Sequence, residues 1–168
     1  HAPTYHLANV FLHIFNGLLV FRFIKRFVKH NWSACIGAMI FLVHPLQAET
    51  VAWISELRGL LATFFGLVAL DLYLDREKDF KVFTTLSLLS FTLALLSKPA
   101  LVVIPLIMWV YEFFFKKEKF QEASLKVIPW LAIAIPIIVV TRIAQPYSAT
   151  KLSSPIIWRP LLWMDSVN

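Results

Sequence analysis

The chain has 168 residues, of which 59 % are hydrophobic, and it contains 15 Phe and 6 Trp but only 4 Gly. Its mean hydropathy is +0.72 and its formal net charge is +6. A soluble domain of this size cannot bury so much apolar side chain, so the composition predicts a polytopic membrane protein. The basic residues occur in short bursts between apolar runs, which is typical of membrane loops and argues against binding of nucleic acid.

Six apolar segments follow one another along the chain and are the predicted membrane segments. They cover residues 5–24, 32–43, 60–74, 82–96, 100–115 and 127–143. Several are shorter than the roughly 20 residues that cross about 30 Å of hydrocarbon. We therefore expect some of them to extend into their polar flanks, to tilt, or to cross only part of the bilayer.

Positive charge is concentrated in every second loop. The loops after the first, third and fifth segments carry Arg22, Lys25, Arg26 and Lys29; Arg76, Lys78 and Lys81; and Lys116, Lys117, Lys119 and Lys126. The positive-inside rule places these loops in the cytoplasm. It places the start of the chain, residues 44–59, residues 97–99 and the tail from residue 145 on the outer side.

Polar side chains interrupt the first segment at helical spacing. His6, Asn9, His13 and Asn16 are three and four residues apart and therefore lie on one side of a helix. Such a stripe cannot face lipid, because burying unpaired polar groups costs several kcal/mol each. It is expected to form hydrogen bonds with another helix or to line a watery cavity, and His6, nearest the outer surface, fits a binding cavity.

Two acidic residues lie near the cytoplasmic ends of later segments, within reach of the basic loops. Asp71 follows most of the third segment and Glu112 follows most of the fifth. A carboxylate in this position is expected to form a salt bridge or to extend to the interface. Neither residue is assigned to a functional site.

The outer stretch "HPLQAETVAWISELRG", residues 44–59, is unusually polar for its apolar surroundings. On a helix, Glu49, Trp53 and Glu56 would share one face and Arg58 would project from the other. A segment that is polar on both sides makes a poor interfacial helix and fits the lining of a watery recess, although a solvated connecting loop is the alternative. In a recess a carboxylate could accept a proton or hold a sugar hydroxyl, and Arg58 could bind phosphate.

Lys98 lies in "LLSKPAL", a charged turn with apolar sequence on both sides. Its ammonium has no acidic neighbour in sequence, so it suits a phosphate, or a carboxylate brought from elsewhere in the fold. Ordinary anchoring at the interface is the alternative. The sequence contains no Gly-rich phosphate loop and no G-x-S-x-G motif. Its histidine pairs lack a third ligand, so neither a metal site nor a bound cofactor is predicted.

Four stretches resemble a known family in their order and spacing. They are "YHLANVFLHIFNGLLVF", "HPLQAETVAWISELRGLLATFFGLVAL", "LLSKPALVVIPLIMWVYEF" and "WRPLLWMDSV". Together they are similar to bacterial relatives of the transmembrane and tetratricopeptide-repeat O-mannosyltransferases, within the GT-C class of polytopic glycosyltransferases. The His-Pro-x-x-x-Glu-x-Val run and the Ser-Lys-Pro turn are the most specific parts of the resemblance.

The resemblance implies an all-α transmembrane bundle that transfers a sugar from a polyprenyl-phosphate donor at the outer face of the membrane. It implies membrane lipid and lipid-linked sugar as partners, a protein hydroxyl as acceptor, and mannose as the sugar. Glu49 and His44 are the implied catalytic residues. The implied substrate-binding residues are Lys98, Arg58, His6 and Trp53.

Two departures from the family pattern limit what can be carried over. Many relatives have a Gly/Glu-Arg-x-Asp run after the tryptophan, whereas this chain reads Glu56-Leu57-Arg58-Gly59, so the arginine is displaced and the aspartate is glycine. The acidic motif that carries the presumed principal base would lie upstream of residue 1. The chain is therefore interpreted as part of one glycosyltransferase-like domain, inactive alone, with helices and tetratricopeptide repeats expected downstream.

The predicted function is sugar transfer, with Glu49 as a secondary acidic group and cations stabilising the departing phosphate. A transporter or flippase is one alternative, in which the polar stripe of the first segment lines a pathway. A passive membrane scaffold for tetratricopeptide repeats is another. The compact loops favour a bacterial plasma membrane over the endoplasmic reticulum.

Overall fold

The computed structural model describes the backbone of residues 2–53 and 56–144, and side chains for residues 4–47, 50–53 and 56–143. Every regular element in the described backbone is a helix. In chain order they are α1 (Ala2–Lys25), α2 (Asn31–Val43), α3 (Pro45–Ala52), α4 (Leu57–Asp75), α5 (Phe80–Ser97), a 3₁₀ segment (Pro99–Val103), α6 (Ile104–Val110), a π-helical segment (Tyr111–Phe115) and α7 (Phe120–Ala144).

Four helical stretches are long and apolar enough to cross a membrane. They are Thr4–Lys25, Leu57–Asp75, Phe80–Ser97 and Phe120–Ile143. Each contains one of the predicted segments and continues into its polar flanks, as expected for segments that must span about 30 Å. The prediction of an integral membrane protein built from helices is confirmed by these four elements.

The second and fifth predicted segments differ from the other four. α2 has 13 residues, and the chain bends by 50° where Pro45 begins α3. Pro99–Phe115 is an apolar stretch below the length of a span, and it changes from 3₁₀ to α to π geometry along its course. The described residues thus contain four spanning helices, or five if the bent pair counts as one. A count of six stays a prediction.

Ion pairs and hydrogen bonds sort the loops into two ends of the bundle. At one end, which we call the basic end, Arg26 contacts Asp75 and Lys116 contacts Glu77, so the three basic loops are neighbours. At the other end, which we call the Lys98 end, Lys98 pairs with a carboxylate from the stretch before α4. This grouping agrees with the alternation of charge along the sequence, whereas the membrane side that each end faces stays a prediction.

The buried core lies where α4, α5, α6 and α7 meet. Its members include Tyr73, Phe91, Met108 and Trp130, all at most 1 % exposed. The rings of Tyr73 and Trp130 meet edge to face, with their centroids 5.0 Å apart, a favourable geometry for aromatic pairs. These four helices therefore form one packed body that holds the two ends in place.

The polar stripe on α1 binds main-chain carbonyl groups on α2, α3 and α4. Asn9 Nδ2 donates to the carbonyl oxygens of Val51 and Trp53, at 3.2 and 3.1 Å, and Asn16 Nδ2 donates to that of Leu60 at 3.1 Å. The predicted hydrogen bonding between helices is thus confirmed for Asn9 and Asn16.

His13 of the same stripe contacts a carbonyl that α2 cannot satisfy itself. Its Nε2 lies 3.1 Å from the Leu42 oxygen. In a continuous helix that oxygen would accept from residue 46, but the Leu46 N–H donates to His44 Nδ1 instead, and Pro45 has no N–H. His13 therefore compensates for the break between α2 and α3, with Nε2 as the donor.

Close packing of α1 and α2 depends on Gly17. A Cβ atom at this position would lie 2.5 Å from Leu42 Cδ2, which is far inside van der Waals contact. The absence of a side chain lets Leu42 approach the α1 backbone, as small residues commonly allow between membrane helices. The same approach brings the Leu42 carbonyl within reach of α1.

A network of ion pairs around the buried carboxylates of Asp71 and Asp75 joins the helices at the basic end. Arg22 Nε lies 2.8 Å from Asp71 Oδ2, and Arg26 binds both Asp71 and Asp75. Hydrogen bonding to Asp75, the largest cause, raises the pKa of Arg26 above its ordinary value. The predicted salt bridge of Asp71 is confirmed, and it connects α1 to α4.

Glu112 forms the centre of a second group of ion pairs at the same end. It lies in the π segment and is 1 % exposed, with Arg76 Nη2 at 2.9 Å and Lys126 Nζ at 3.2 Å from its carboxylate oxygens. Lys126 also pairs with Glu118. The predicted salt bridge of Glu112 is therefore confirmed, and it joins α4 and α7 through the π segment.

Candidate functional site

A small polar cavity opens at the Lys98 end between the start of α4 and the turn after α5. Its volume is about 210 Å³, and it is lined by Glu56, Arg58, Gly59, Ser97, Lys98 and Pro99. Two residues of the predicted site, Arg58 and Lys98, are thus brought to one cavity although they are far apart in sequence. We call this the Lys98 cavity.

Local backbone geometry explains why Lys98 reaches the cavity. Pro99 lacks an N–H and begins the 3₁₀ segment, so α5 ends at Ser97. Lys98 adopts an extended conformation, with φ −152° and ψ 115°, while its own N–H still donates to the Ala94 carbonyl at 2.9 Å. The Ser-Lys-Pro turn therefore holds the lysine backbone at the end of a rigid helix.

The ammonium group of Lys98, which has no acidic neighbour in the sequence, pairs with the carboxylate of Glu56. Its Oε2 lies 3.3 Å from Lys98 Nζ, and the two side chains are 39 % and 50 % exposed. An ion pair this exposed contributes little to stability, because water screens it. An anionic ligand could consequently replace Glu56 as the partner of Lys98 at little cost in free energy.

Gly59 makes room for this ion pair. A Cβ atom there would lie 2.8 Å from Glu56 Oε2 and 3.5 Å from Lys98 Nζ. The space that a side chain at position 59 would fill is therefore occupied by the Glu56 carboxylate. Position 59 is where many members of the resembled family have an aspartate. In this fold the carboxylate beside Gly59 belongs to Glu56, three residues earlier in the chain.

The Lys98 cavity carries more positive than negative charge. Arg58 lies in the first turn of α4 and is exposed, and it forms no salt bridge with any side chain in the described ranges. Two cations therefore line the cavity with a single carboxylate, Glu56. This arrangement has the capacity to bind one further anion, and an arginine fork with a lysine ammonium suits a phosphate.

A second opening adjoins the first across Pro99. It has a volume of about 450 Å³ and is lined by Pro99, Ala100, Val102, Ile138, Thr141 and Arg142. Arg142 is exposed near the end of α7. Sequence reasoning did not assign Arg142 to the site, because only the fold brings the end of α7 beside the Ser-Lys-Pro turn.

Two further predicted site residues, His44 and Trp53, directly precede and directly follow α3. His44 precedes the helix and is exposed, and its Nδ1 accepts the N–H of Leu46 at 3.2 Å. It thereby caps the start of α3 in the way that Asx residues cap helices. Trp53 is 61 % exposed, and its carbonyl accepts from Asn9.

His44 and Trp53 do not line the Lys98 cavity. Neither does His6, which is exposed on α1. Glu49 belongs to α3, but the structure does not describe its side chain. The structure therefore unites Arg58 and Lys98 with Glu56 and Gly59, which the sequence prediction had not assigned to the site.

The expected shared face of Glu49, Trp53 and Glu56 is not a continuous helical face. α3 ends at Ala52 and α4 begins at Leu57, with Trp53 outside both helices. The geometry of one uninterrupted helix therefore does not apply across this stretch. The side chain of Glu56 instead points toward Lys98, with which it forms an ion pair.

No protein-family model, curated protein or solved structure matches this chain. Within the described ranges, no three His, Cys, Asp or Glu side chains are placed to hold a metal ion.

Proposed function

We propose that this chain is part of an integral membrane glycosyltransferase that transfers a sugar from a polyprenyl-phosphate donor to a hydroxyl group. The observation that carries the proposal is the Lys98 cavity, at the end of membrane-length helices, where two cations, Lys98 and Arg58, line the same space as a single carboxylate, Glu56, which pairs with Lys98. A lipid-linked phosphate matches both features, since its tail belongs in the bilayer and its charged group at the interface.

The chemistry of transfer makes defined demands on this site. The acceptor oxygen forms a bond to the anomeric carbon, while the bond between that carbon and the phosphate oxygen breaks and the phosphate leaves with the electron pair. A carboxylate must take the proton of the acceptor hydroxyl, and cations must stabilise the negative charge that develops on the leaving phosphate. Lys98 and Arg58 are assigned to the phosphate.

The acidic and aromatic residues complete the assignment. Glu49 is a secondary acid that positions the acceptor, and the principal base is expected upstream of residue 1. His44 is assigned to catalysis together with Glu49, and Trp53 and His6 are assigned to substrate binding. Membership of the GT-C class, mannose as the sugar, a protein acceptor and transfer at the outer face of a bacterial plasma membrane belong to the same proposal.

The polar stripe on α1 supports an enzyme more than a transporter. Asn9 and Asn16 donate to main-chain carbonyls of neighbouring helices, and His13 contacts another. These contacts give the stripe main-chain partners inside the bundle, which argues against a solute pathway along it. The exposed charges at the Lys98 end, by contrast, are available for chemistry at the membrane surface, and a passive scaffold would give them no task.

Sugar transfer by the complete protein tests the proposal. Reconstituted protein is supplied with polyprenyl-phosphate mannose and an acceptor peptide, and Lys98→Gln is compared with wild type. We expect the rate of transfer to fall by about 10²–10³-fold, the usual effect of removing one group that stabilises transition-state charge. Lys29→Gln, an exposed lysine at the basic end, is the matched control and should transfer at the wild-type rate.

Two results would overturn parts of the proposal. Equal transfer by wild type and Lys98→Gln would remove Lys98 from the site. Absence of transfer with every polyprenyl-phosphate donor, together with solute flux into liposomes, would replace the enzyme with a transporter.

A further inference from the structure

An apolar groove enters the bundle at the basic end, opposite the Lys98 cavity. It has a volume of about 240 Å³, and its walls include Phe23 and Phe27 at the end of α1, Leu74 of α4, and Tyr111 and Phe115 of the π segment. No charged side chain lines it. We call it the basic-end groove.

The groove continues into a second compartment with different chemistry. This compartment has a volume of about 430 Å³ and shares Phe27, Leu74, Tyr111 and Phe115 with the first, but it also contains Arg26. From the first compartment to the second, the lining therefore changes from aliphatic and aromatic side chains to the guanidinium group of Arg26. An amphipathic ligand fits this lining, with its apolar chain in the first compartment and its anionic group in the second.

The charge around the second compartment favours an anion. Arg26 lines it, and Lys116 Nζ lies 5.9 Å from the centroid of the Tyr111 ring. The surrounding ion-pair network contains four cations and three carboxylates, namely Arg22, Arg26, Lys78 and Lys116 with Asp71, Asp75 and Glu77. The network thus keeps one net positive charge beside the groove.

The position of the groove in the bundle identifies the source of such a ligand. Phe27 lies just beyond the spanning stretch Thr4–Lys25, and Leu74 lies at the end of the stretch Leu57–Asp75. These are the depths at which the acyl chains of a bilayer meet the headgroups. Phe115 is 64 % exposed, so the groove is open at its side to the surrounding medium.

We propose that the basic-end groove binds one anionic glycerophospholipid, with an acyl chain between α1, α4 and the π segment and its phosphate beside Arg26 and Lys116. The site is separate from the Lys98 cavity, and the proposal does not depend on the proposed sugar transfer. Electrostatic attraction to basic side chains at the interface distinguishes anionic from zwitterionic lipid.

Lipid titration followed by native mass spectrometry tests this assignment on the complete protein. Delipidated protein receives phosphatidylglycerol or phosphatidylcholine with the same acyl chains. Wild type should keep one phosphatidylglycerol molecule with about fivefold preference over phosphatidylcholine, the effect expected of one net cation at the interface. Equal retention of the two lipids would contradict the anionic part of the proposal.

Paired variants separate the groove from the general membrane surface. Leu74→Trp places an indole in the groove and should reduce bound phosphatidylglycerol at least severalfold. Leu89→Trp is the matched control, because Leu89 is 57 % exposed on α5 and does not line the groove. Lys116→Gln should retain a lipid but lose the preference for phosphatidylglycerol. Wild-type lipid binding by Leu74→Trp would overturn the site.

Photo-crosslinking provides a result even if Leu74→Trp fails to fold. Replacing Phe115 with benzoylphenylalanine puts a reactive group at the open side of the groove without filling it. The proposal predicts a phospholipid adduct in membranes that contain phosphatidylglycerol. A crosslink to another segment of the protein or to a second copy, with no lipid adduct, would show that protein covers the groove and would overturn the proposal.

Discussion

The two ends of this bundle use charge in opposite ways. At the basic end, carboxylates such as Glu112 and Asp75 are buried and bound by cations from neighbouring helices. At the Lys98 end, Lys98, Glu56 and Arg58 are half-exposed or exposed, and Lys98 pairs with Glu56 while Arg58 forms no ion pair with a described side chain. Charges at the first end hold helices together, and a lipid phosphate proposed there would join cations that already have carboxylate partners, whereas at the second end a cation is left without one. The comparison teaches that the density of charge alone does not locate a functional site, because its degree of pairing must be considered.

The largest effect on stability should come from Glu112→Gln. This change removes the charge that Arg76 and Lys126 share, and breaking a buried ion pair typically costs about 3–5 kcal/mol because the remaining charge stays buried. Thermal unfolding in detergent measures the effect. Glu122→Gln, at an exposed position of α7, is the control. If both variants unfold at the same temperature, the ion pairs of Glu112 do not stabilise the basic end.

A smaller loss should follow from Asn9→Ala near the Lys98 end. The variant removes donors to the Val51 and Trp53 carbonyls, and a hydrogen bond between membrane helices is worth about 1 kcal/mol. Chemical denaturation compares it with Thr85→Ala, an exposed threonine whose hydroxyl bonds only within its own helix. Identical stability of the two variants would mean that the Asn9 hydrogen bonds do not help to hold α1 in place.

Lys98→Gln should change stability by less than about 1 kcal/mol, because its pair with Glu56 is exposed and screened. Thermal unfolding of the same protein preparations used for the transfer assay checks this value. Small loss of stability combined with large loss of transfer would separate the two ends by function. A loss of stability as large as that of Glu112→Gln would instead give Lys98 a structural role.

The smallest expected effect is a change with pH in the contribution of Glu118 to the free energy of unfolding. A hydrogen bond from Lys126 lowers the pKa of Glu118 below its ordinary value of 4.5. A carboxyl group with a lowered pKa in the folded state stabilises the fold above its unfolded pKa, and this contribution disappears as the pH falls through the folded pKa. The stability difference between wild type and Glu118→Gln should therefore be present at pH 7 and close progressively below about pH 4.5. A difference that does not vary with pH would contradict this coupling.

The sequence was sufficient for the long helices and for the grouping of the loops. Apolar runs predicted α1, α4, α5 and α7 because spanning a bilayer demands length and hydrophobicity from each helix individually. The salt bridges of Asp71 and Glu112 also followed from local reasoning, since a carboxylate near a basic loop finds a partner.

The break after α2 and the pairing of Glu56 were beyond such reasoning. Pro45 marked a turn, but whether a proline bends a span or ends it depends on which neighbours satisfy the freed carbonyl groups. The pair of Glu56 and Lys98 joins residues 42 positions apart and exists because α4 packs beside α5. Gly59 carried no signal of its role, because its importance lies in what occupies the space beside it.

The bond between His13 and the Leu42 carbonyl has a consequence for membrane insertion. α2 and α3 cannot enter lipid by themselves without carrying an unsatisfied carbonyl into hydrocarbon, where each such group costs several kcal/mol. α1 precedes α2 in the chain and carries His13, the partner of the Leu42 carbonyl. We therefore expect the bent segment of α2 and α3 to insert against α1 and not by itself.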